Sequence, residues 1–529
     1  MVPREYHVIV VGGGGSGLAA AVTASEEGAR VLLLEKTPNV GGTTGIAIGS
    51  YTANRSVYQR RAGIDDNPDD HELDASRFAP PDIETQNHTA LRRFFLGHAA
   101  DTLDWLMGMG LRFYGPSPEP PNRVPRMHNV VPNAKAYIAT LQSRLLRLGG
   151  RIECNCPAEE LLMNEGRVTG VVARWKGHLR TSVAASGVVL AAGDYANSPE
   201  MIGQYKGLQY TAIEGINPHA TGDGHRLAQR AGAQLLNMSI TYGPELRFIP
   251  PPRKPFTQLL PGSGPLTQIM GKMLPLVPRV IVNSIVKRLL VTWQHPENAL
   301  FDDGAVLVNA RGERFCDERA YPAREIAIAN QPGKIAYILL DQHLAELYSR
   351  WPHFISTAPE IAYAYVADYL RLRPDVTVKA DSIADLAQAR RLPPQAVTAT
   401  VERFNSYVRG ERSDAFGRTG DQVPLAGDRW ILLGPVKAYF TTTEGGAAVN
   451  EQLQVLDAAG RPIDGLYAVG QNGLGGQILW GHGLHIAWAL TSGRLVGQRL
   501  GSTADKGFPQ ALADVPDSPA SWLDRGWRS

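Results

Sequence analysis

Cysteine is scarce in this chain: Cys154, Cys156 and Cys316 are the only three among 529 residues. Three thiols make no disulfide framework, and their spacing is not that of a zinc site, so no metal is expected. They read as reduced thiols of a cytoplasmic protein, with Cys154 and Cys156 alternating along an expected strand. An excess of either charge is also lacking. Lys plus Arg number 53 and Asp plus Glu number 51, a formal net charge of +2. That leaves no electrostatic footprint for a polyanion and argues against a nucleic-acid partner. No apolar run reaches the roughly 18 residues that read as a membrane span. Seven residues precede Val8 without a charged leader or cleavage site, so no secretory signal is expected. Internal repeats are absent.

Glycine, in contrast, is plentiful at 55 residues, and its densest cluster carries the first chemical signal. Val8–Val11 is a run of small branched residues that reads as a buried strand. Gly12-Gly13-Gly14-Gly15-Ser16-Gly17 follows and satisfies G-x-G-x-x-G through Gly12, Gly14 and Gly17. A helix pattern runs from Leu18 to about Glu27, Gly28 ends it as a left-handed cap would, and Val31–Leu34 reads as a second strand closed by Glu35. Each part serves dinucleotide binding. Gly12 makes the tight turn, Gly14 lets the backbone touch a pyrophosphate, and Gly17 lets helix and strand pack closely. The helix N-terminus faces the negative charge, and Glu35 can accept both hydroxyl protons of an adenosine ribose.

A second glycine-rich turn, Gly41–Ser50, suits a chain that goes on to wrap the rest of an FAD. Ala185–Met201 ("ASGVVLAAGDYANSPEM") reads as a buried strand ending in a small-residue turn. Ile463–Gly497 ("IDGLYAVGQNGLGGQILWGHGLHIAWALTSGRLVG") reads as strand, glycine-rich stretch and helix. With "TGDGHRLAQRAGA" (Thr221–Ala233) and "GAVLVNARGERFCDE" (Gly304–Glu318), these motifs resemble the flavoprotein superfamily of soluble fumarate reductases, urocanate reductase and 3-ketosteroid dehydrogenases. The resemblance covers about residues 6–500.

The resemblance implies an α/β fold: a Rossmann-like FAD-binding domain of the GR2 type with an inserted α+β cap that completes the substrate site. The FAD domain would occupy 1–238 and 433–505, the cap 239–432, and a polar tail 506–529. Proline-rich stretches at Pro250–Pro255 and Pro424–Pro435 are where linkers would lie; helical patterns at Ile361–Arg371 and Ala396–Val408 fall in the cap. Cofactor contacts are implied at Gly12, Gly14, Gly15, Ser16, Gly17, Glu35, Lys36, Gly42, Thr43, Thr44, Ala158, Ala192, Gly193, Asp223, Gly470, Gln471, Gly483 and Leu484. Asp223 also reads as the cap of its helix, and His219 as a residue ordering the preceding loop. The segment Gly42–Gly45 reads "GTTG", without the histidine that attaches flavin covalently in succinate dehydrogenases, so the FAD is expected to be non-covalent.

In this superfamily a hydride moves between the flavin and a substrate carbon while a proton moves at the neighbouring carbon. The protein supplies an acid or base and donors for an enolate-like charge. Reductases do this with an acid arginine and a dicarboxylate clamp; ketosteroid dehydrogenases use tyrosines. Here "RAYPAREIA" offers Tyr321 as the proton-handling group and Arg324 as its alternative. "TTEGG" (Thr442–Gly446) lacks the reductases' carboxylate-binding histidine. "LWGHGLHIAW" puts Trp480 where the reductases hold a carboxylate-binding arginine, and brings His482 and His485 to what reads as one helix face. Tyr242, His128 and Arg126 are further candidates for substrate contact. These residues imply α,β-desaturation of a cyclic or apolar ketone, with His482 polarising the carbonyl. A fumarate-reductase-like ene-reductase, in which Arg324 or Arg247 would converge on the flavin, is the alternative. A non-catalytic or electron-transfer flavoprotein is the third reading. A small-molecule substrate and a separate electron acceptor are implied. The apolar, basic segment Met270–Trp293 reads as a subunit contact in a homo-oligomer, a lid, a docking surface or a peripheral membrane contact.

Overall fold

A computed structural model describes residues 4–503, apart from 253–259, 261–268, 271–286, 289, 293, 359–361 and 421. Most of the Met270–Trp293 segment and all of the tail from residue 504 lie outside the described residues. Among those described, no helix is long and apolar enough to cross a membrane.

The chain opens with strand β1 (Arg4–Val11), helix α1 (Gly15–Glu26) and strand β2 (Val31–Leu34). Val8–Val11 and Val31–Leu34 are fully or almost fully buried, as continuous apolar runs in a parallel sheet should be. The sheet runs Gln454–Leu456, Pro462–Ala468, His178–Leu190, β1, β2, Arg151–Glu153. Its inner neighbours are parallel, with Val8–Val11 in register with Val31–Leu34 on one side and Gly187–Leu190 on the other. Arg167–Trp175 and Ala158–Asn164 extend it as antiparallel strands. The strand expected through Cys154 and Cys156 ends at Glu153, because the chain turns there to send Cys156 N–H to Glu35 O. All three cysteines are free.

Helix α1 begins three residues before the apolar pattern does, since the glycines of the loop already take helical geometry. Gly28 (φ +90°) follows its end. Its partner is the C-terminal helix Leu484–Gly501. There Gly493, Gly497 and Gly501 recur every four residues against α1. A Cβ on Gly493 would lie 2.2 Å from Ser16 O, and one on Gly497 2.0 Å from Thr23 Oγ1. Small residues at this spacing let two helix backbones touch.

A second apolar core, drawn from Leu246 to Val436, belongs to the inserted part. Its six-stranded sheet centres on Trp430–Phe440, which pairs with Glu214–Gly215, Glu245–Phe248, Ala336–Leu340 and Thr377–Ala380. The stretch Pro424–Pro435 is therefore only partly a linker. Its second half is the central strand of this sheet, which continues beyond residue 432 to Phe440. Pro435 is tolerated because the pairing with Ala336–Leu340 is irregular at that point. The helices expected at Ile361–Arg371 and Ala396–Val408 are Val366–Leu372 and Pro394–Val408.

Candidate active site

The glycine loop, β2 and the end of His178–Leu190 converge on a cleft of about 1030 Å³, at the upper end of the range for small-molecule sites. The cleft is lined by Gly12, Gly14, Gly15, Ser16, Glu35, Lys36, Gly42, Thr43, Thr44, Ala158, Ala192, Gly193, Asp223, Gln471 and His219. Its geometry fits a dinucleotide. Gly12 has φ +112°, and a Cβ there would stand 2.3 Å from Ala191 O, so the turn requires glycine. Gly14 faces open space, its nearest prospective neighbour being Gly42 Cα at 4.0 Å. Helix α1 starts here without a side-chain cap or an acidic residue in its first turn. Its unpaired amides and positive dipole end are left for an anion.

Glu35 is 8% exposed. Its Oε2 accepts from Gly13 N–H at 2.7 Å and its Oε1 from Thr37 N–H at 2.8 Å. With Thr37 Oγ1–H, which also donates to Oε1 at 2.8 Å, these bonds fix the carboxylate at the cleft wall and leave acceptor capacity on Oε2 for a ribose. Lys36 is not free: its ammonium lies 2.6 Å from both Thr221 Oγ1 and Asp223 Oδ2. Asp223 is the first residue of its helix rather than the cap, a position held by Gly222 without a side-chain bond. Its carboxylate is used on Lys36 instead.

Four expected cofactor residues do not line the cleft. A Cβ on Gly17 would lie 1.9 Å from Gly12 O, so its role is helix–strand contact. Gly470 accepts from Trp488 Nε1–H and abuts Ser16. Gly483 caps the C-terminal helix with φ +86°, and Leu484 is buried in the core.

At its inner end the cleft passes Asp194 and Gln471 toward a polar cluster. Gln471 Nε2–H donates to Thr442 Oγ1 at 2.7 Å, and that hydroxyl donates to Asp194 Oδ2 at 3.1 Å. Burial pushes the Asp194 pKa up, against the lowering effect of the Ala196 N–H and Thr442 hydroxyl donors. Beyond lie Tyr242 and Trp480, with ring centroids 5.5 Å apart in an edge-on arrangement. The indole Nε1–H of Trp480 is buried with no hydrogen-bond partner among the described residues.

Two carboxylate–imidazole pairs flank this aromatic wall. His485 Nε2 lies 2.8 Å from Glu444 Oε1, a wholly buried carboxylate that also accepts from Leu479 N–H. Glu119 Oε1 accepts from both His482 N–H at 2.7 Å and His482 Nδ1–H at 2.6 Å. His482 and His485 are not on one helix face, because the helix starts only at Leu484; each has its own acid. Desolvation disfavours charge on His482, but the Glu119 hydrogen bond and charge outweigh it and raise its pKa.

Tyr321 stands on the cap, 59% exposed. Desolvation of its hydroxyl end, with the Glu325 and Glu245 carboxylates, pushes its pKa up to about 12. The Glu245 charge also acts on His482 and Tyr242. Glu245 itself is held below the usual carboxylate range: burial opposes its charge, but Arg247 and His295 prevail. Arg247 donates to Glu245 Oε2 at 2.6 Å.

Arg324 is not available as an acid here. It is buried, bound to Glu325, Asn298 and Glu318 O, and stacked 4.6 Å from the Phe301 ring centroid. It ties the cap together. His128 is likewise structural: fully buried, it pairs with Ser56 Oγ at 2.8 Å and Tyr51 O at 3.3 Å. Arg126 is buried on Asp66 and Asp74.

The residues missed from sequence are the acids, Glu119, Glu245, Glu444 and Asp194. Glu444 stood in a motif already singled out for its missing histidine. Glu119, between prolines in "SPEPPN", gave no signal.

A family described as "FAD binding domain" matches residues 7–477. A probable fumarate reductase of Shewanella frigidimarina is 26% identical over 91% of this chain and 72% of its own length. A vinyl phenol reductase of Lactiplantibacillus plantarum is 25% identical over 93% and 96%. Among solved structures, the open conformation of a flavocytochrome c3 fumarate reductase matches with TM-score 0.70 and 25% identity, covering 95% of this chain and 79% of that one. A 3-ketosteroid Δ1-dehydrogenase from Sterolibacterium denitrificans shares the fold, with TM-score 0.60, 19% identity and coverage of 94% and 100%.

Proposed function

This chain belongs to the FAD-binding domain family, and from that premise we propose that it reduces a carbon–carbon double bond conjugated to a carbonyl or aryl group on a neutral, apolar substrate. It is an FAD-dependent oxidoreductase of the kind that acts between CH–CH and C=C. When bound, FAD supplies hydride exchange with a substrate carbon. The observation that carries the substrate class is the Tyr242–Trp480 pair set among buried acids. An aromatic wall packs against an apolar ring, and Trp480 stands where the resemblance to the reductases expects a carboxylate-binding arginine. The name of the Lactiplantibacillus relative, a reductase of a vinyl phenol, supports the same chemistry, and the relatives' names favour reduction over desaturation.

In this reading Trp480 and Tyr242 hold the substrate ring. His482 donates a hydrogen bond to the oxygen that gathers negative charge. The Tyr321 hydroxyl delivers the proton to the carbon beside the carbonyl as the cap approaches. In the desaturating direction the same hydroxylate removes that proton. The test is anaerobic mixing of the pre-reduced holoenzyme with 2-cyclohexenone, 4-vinylphenol and fumarate while flavin absorbance is followed. Reoxidation by the neutral compounds, at least about tenfold faster than by fumarate, is expected. Faster reoxidation by fumarate overturns the substrate class. Bleaching of oxidised enzyme by a saturated ketone, with no response to enones, reverses the direction.

A further inference from the structure

We propose that Glu119 is the positioning residue of this site: it clamps His482 so that the imidazolium offers its Nε2–H to a substrate oxygen. The proposal rests on the reading of the site given above and assigns a group to it that no motif marks.

The geometry is specific. One carboxylate oxygen, Glu119 Oε1, takes both the main-chain N–H and the Nδ1–H of the same residue. The two bonds together fix the backbone at the entry to the C-terminal helix and the rotation of the ring. Thr52 Oγ1–H adds a third tie, donating to His482 O at 2.6 Å. Glu119 is buried, at 6% exposure, whereas the His482 side chain is 51% exposed. The protected edge of the ring is thus the Nδ1 edge. Nε2 has no protein partner among the described residues, and His482 follows Trp480, one half of the aromatic pair, by two positions in the chain.

With Nδ1–H given to Glu119, a neutral His482 carries no hydrogen on Nε2 and can only accept there. Only the cation donates from Nε2. Donation to a substrate oxygen therefore requires the protonated ring, and Glu119 is what holds it protonated. Among the described residues the other groups that act on the His482 charge are Glu245 and Arg247, on Glu245–Phe248, while the neighbouring wall carries Tyr242 and the Glu444–His485 pair. Arg247, paired with Glu245, opposes the charge, and Glu245 favours it. Removing Glu119 removes the hydrogen-bonded carboxylate from this set.

The device also selects substrate. A charge-assisted donor rewards a molecule with an acceptor oxygen conjugated to its double bond. An isolated alkene gains nothing from it.

The experiment uses Glu119→Gln, which keeps the size and one acceptor oxygen but not the charge. Two readouts are taken on the FAD-loaded protein. Histidine ring 15N NMR, with the resonance assigned by its loss in His482→Asn, titrates His482 directly and needs no turnover. Stopped-flow reoxidation by 2-cyclohexenone is measured from pH 5.5 to 9. In the wild type, His482 titrates above the ordinary value near 6.5, and the rate falls along the same curve as pH rises. In E119Q both midpoints move down together by at least about one pH unit. In Glu119→Asp they return part of the way. His482→Asn loses this alkaline limb. An E119Q protein whose His482 titrates as in the wild type overturns the proposal, whatever its rate. So does a shifted titration with an unshifted rate profile. If E119Q does not fold, E119D and H482N are read the same way: unchanged midpoints in E119D, or a retained limb in H482N, overturn the proposal. If the wild type shows the raised titration but ignores enones altogether, the reading of the function has failed and the clamp has not.

Discussion

Two glycines of the first loop should respond to the same substitution in opposite ways. Gly12→Ala puts a Cβ 2.3 Å from Ala191 O at a backbone φ of +112°. An L-residue there costs about 1–3 kcal/mol of strain, and the collision with main chain adds about 1–3 kcal/mol of overpacking. The sum, about 2–6 kcal/mol, corresponds to a melting temperature lower by on the order of 10 °C. Gly14→Ala meets nothing nearer than 4.0 Å, and Gly14 has φ −76° and ψ −173°, open to any residue. The apoprotein should melt as the wild type does. Its methyl group, however, takes space on the cleft wall that a pyrophosphate needs. Loss of one charge-assisted hydrogen bond costs about 1.5–3 kcal/mol, so FAD affinity should fall by about 10- to 100-fold. The assays are thermal melting of apoprotein and titration of flavin fluorescence. G14A with wild-type FAD affinity would refute the contact between bare main chain and diphosphate. G12A with wild-type melting would refute the claim that the turn demands glycine.

Further outcomes are expected. Tyr321→Phe should slow flavin reoxidation by an enone by about 100-fold with little change in FAD affinity; a near-normal rate in single-turnover mixing excludes it as the proton donor. Trp480→Arg places a cation against Tyr242 and should raise the fumarate-to-enone rate ratio at least about tenfold in competition assays, whereas an unchanged ratio removes Trp480 from the substrate wall. Burial pushes His128 and His225 down to about 4. Because each pKa is lower folded than unfolded, the unfolded chain binds more protons between about 4 and 6.5. The stability these rings provide is complete above that window and is lost as pH falls through it. The slope reaches up to about 2.7 kcal/mol per pH unit for the two together, and a melting temperature that stays flat from pH 6.5 to 5 contradicts the assignment.

Periodicity and glycine placement were enough to locate β1, α1 and β2, because every requirement there is local. A buried parallel strand must be apolar throughout, the turn needs a positive φ at Gly12, and Gly28 closes the helix. The segment that forms the central cap strand was harder to read. Pro435 marks a break in sequence, and only the irregular pairing of Trp430–Phe440 with Ala336–Leu340 shows how a strand accommodates it. The glycines at 493, 497 and 501 have their reason in α1, which lies against them and comes from the other end of the chain.

The sequence by itself determined the glycine-rich turn of an FAD-binding family and the presence of Trp480 and "TTEGG" in the motifs singled out, since loop conformation and residue type are written locally. The tertiary structure alone decided which charges meet. Glu119 and His482 are 363 positions apart, and Glu444 and His485 come from different segments. Arg324, an acid on paper, is spent inside the cap on Glu325 and Asn298. Electrostatic pairing acts over a few ångströms of space and not along the chain, so neither the partners nor the protonation states they impose could be read before the fold brought them together.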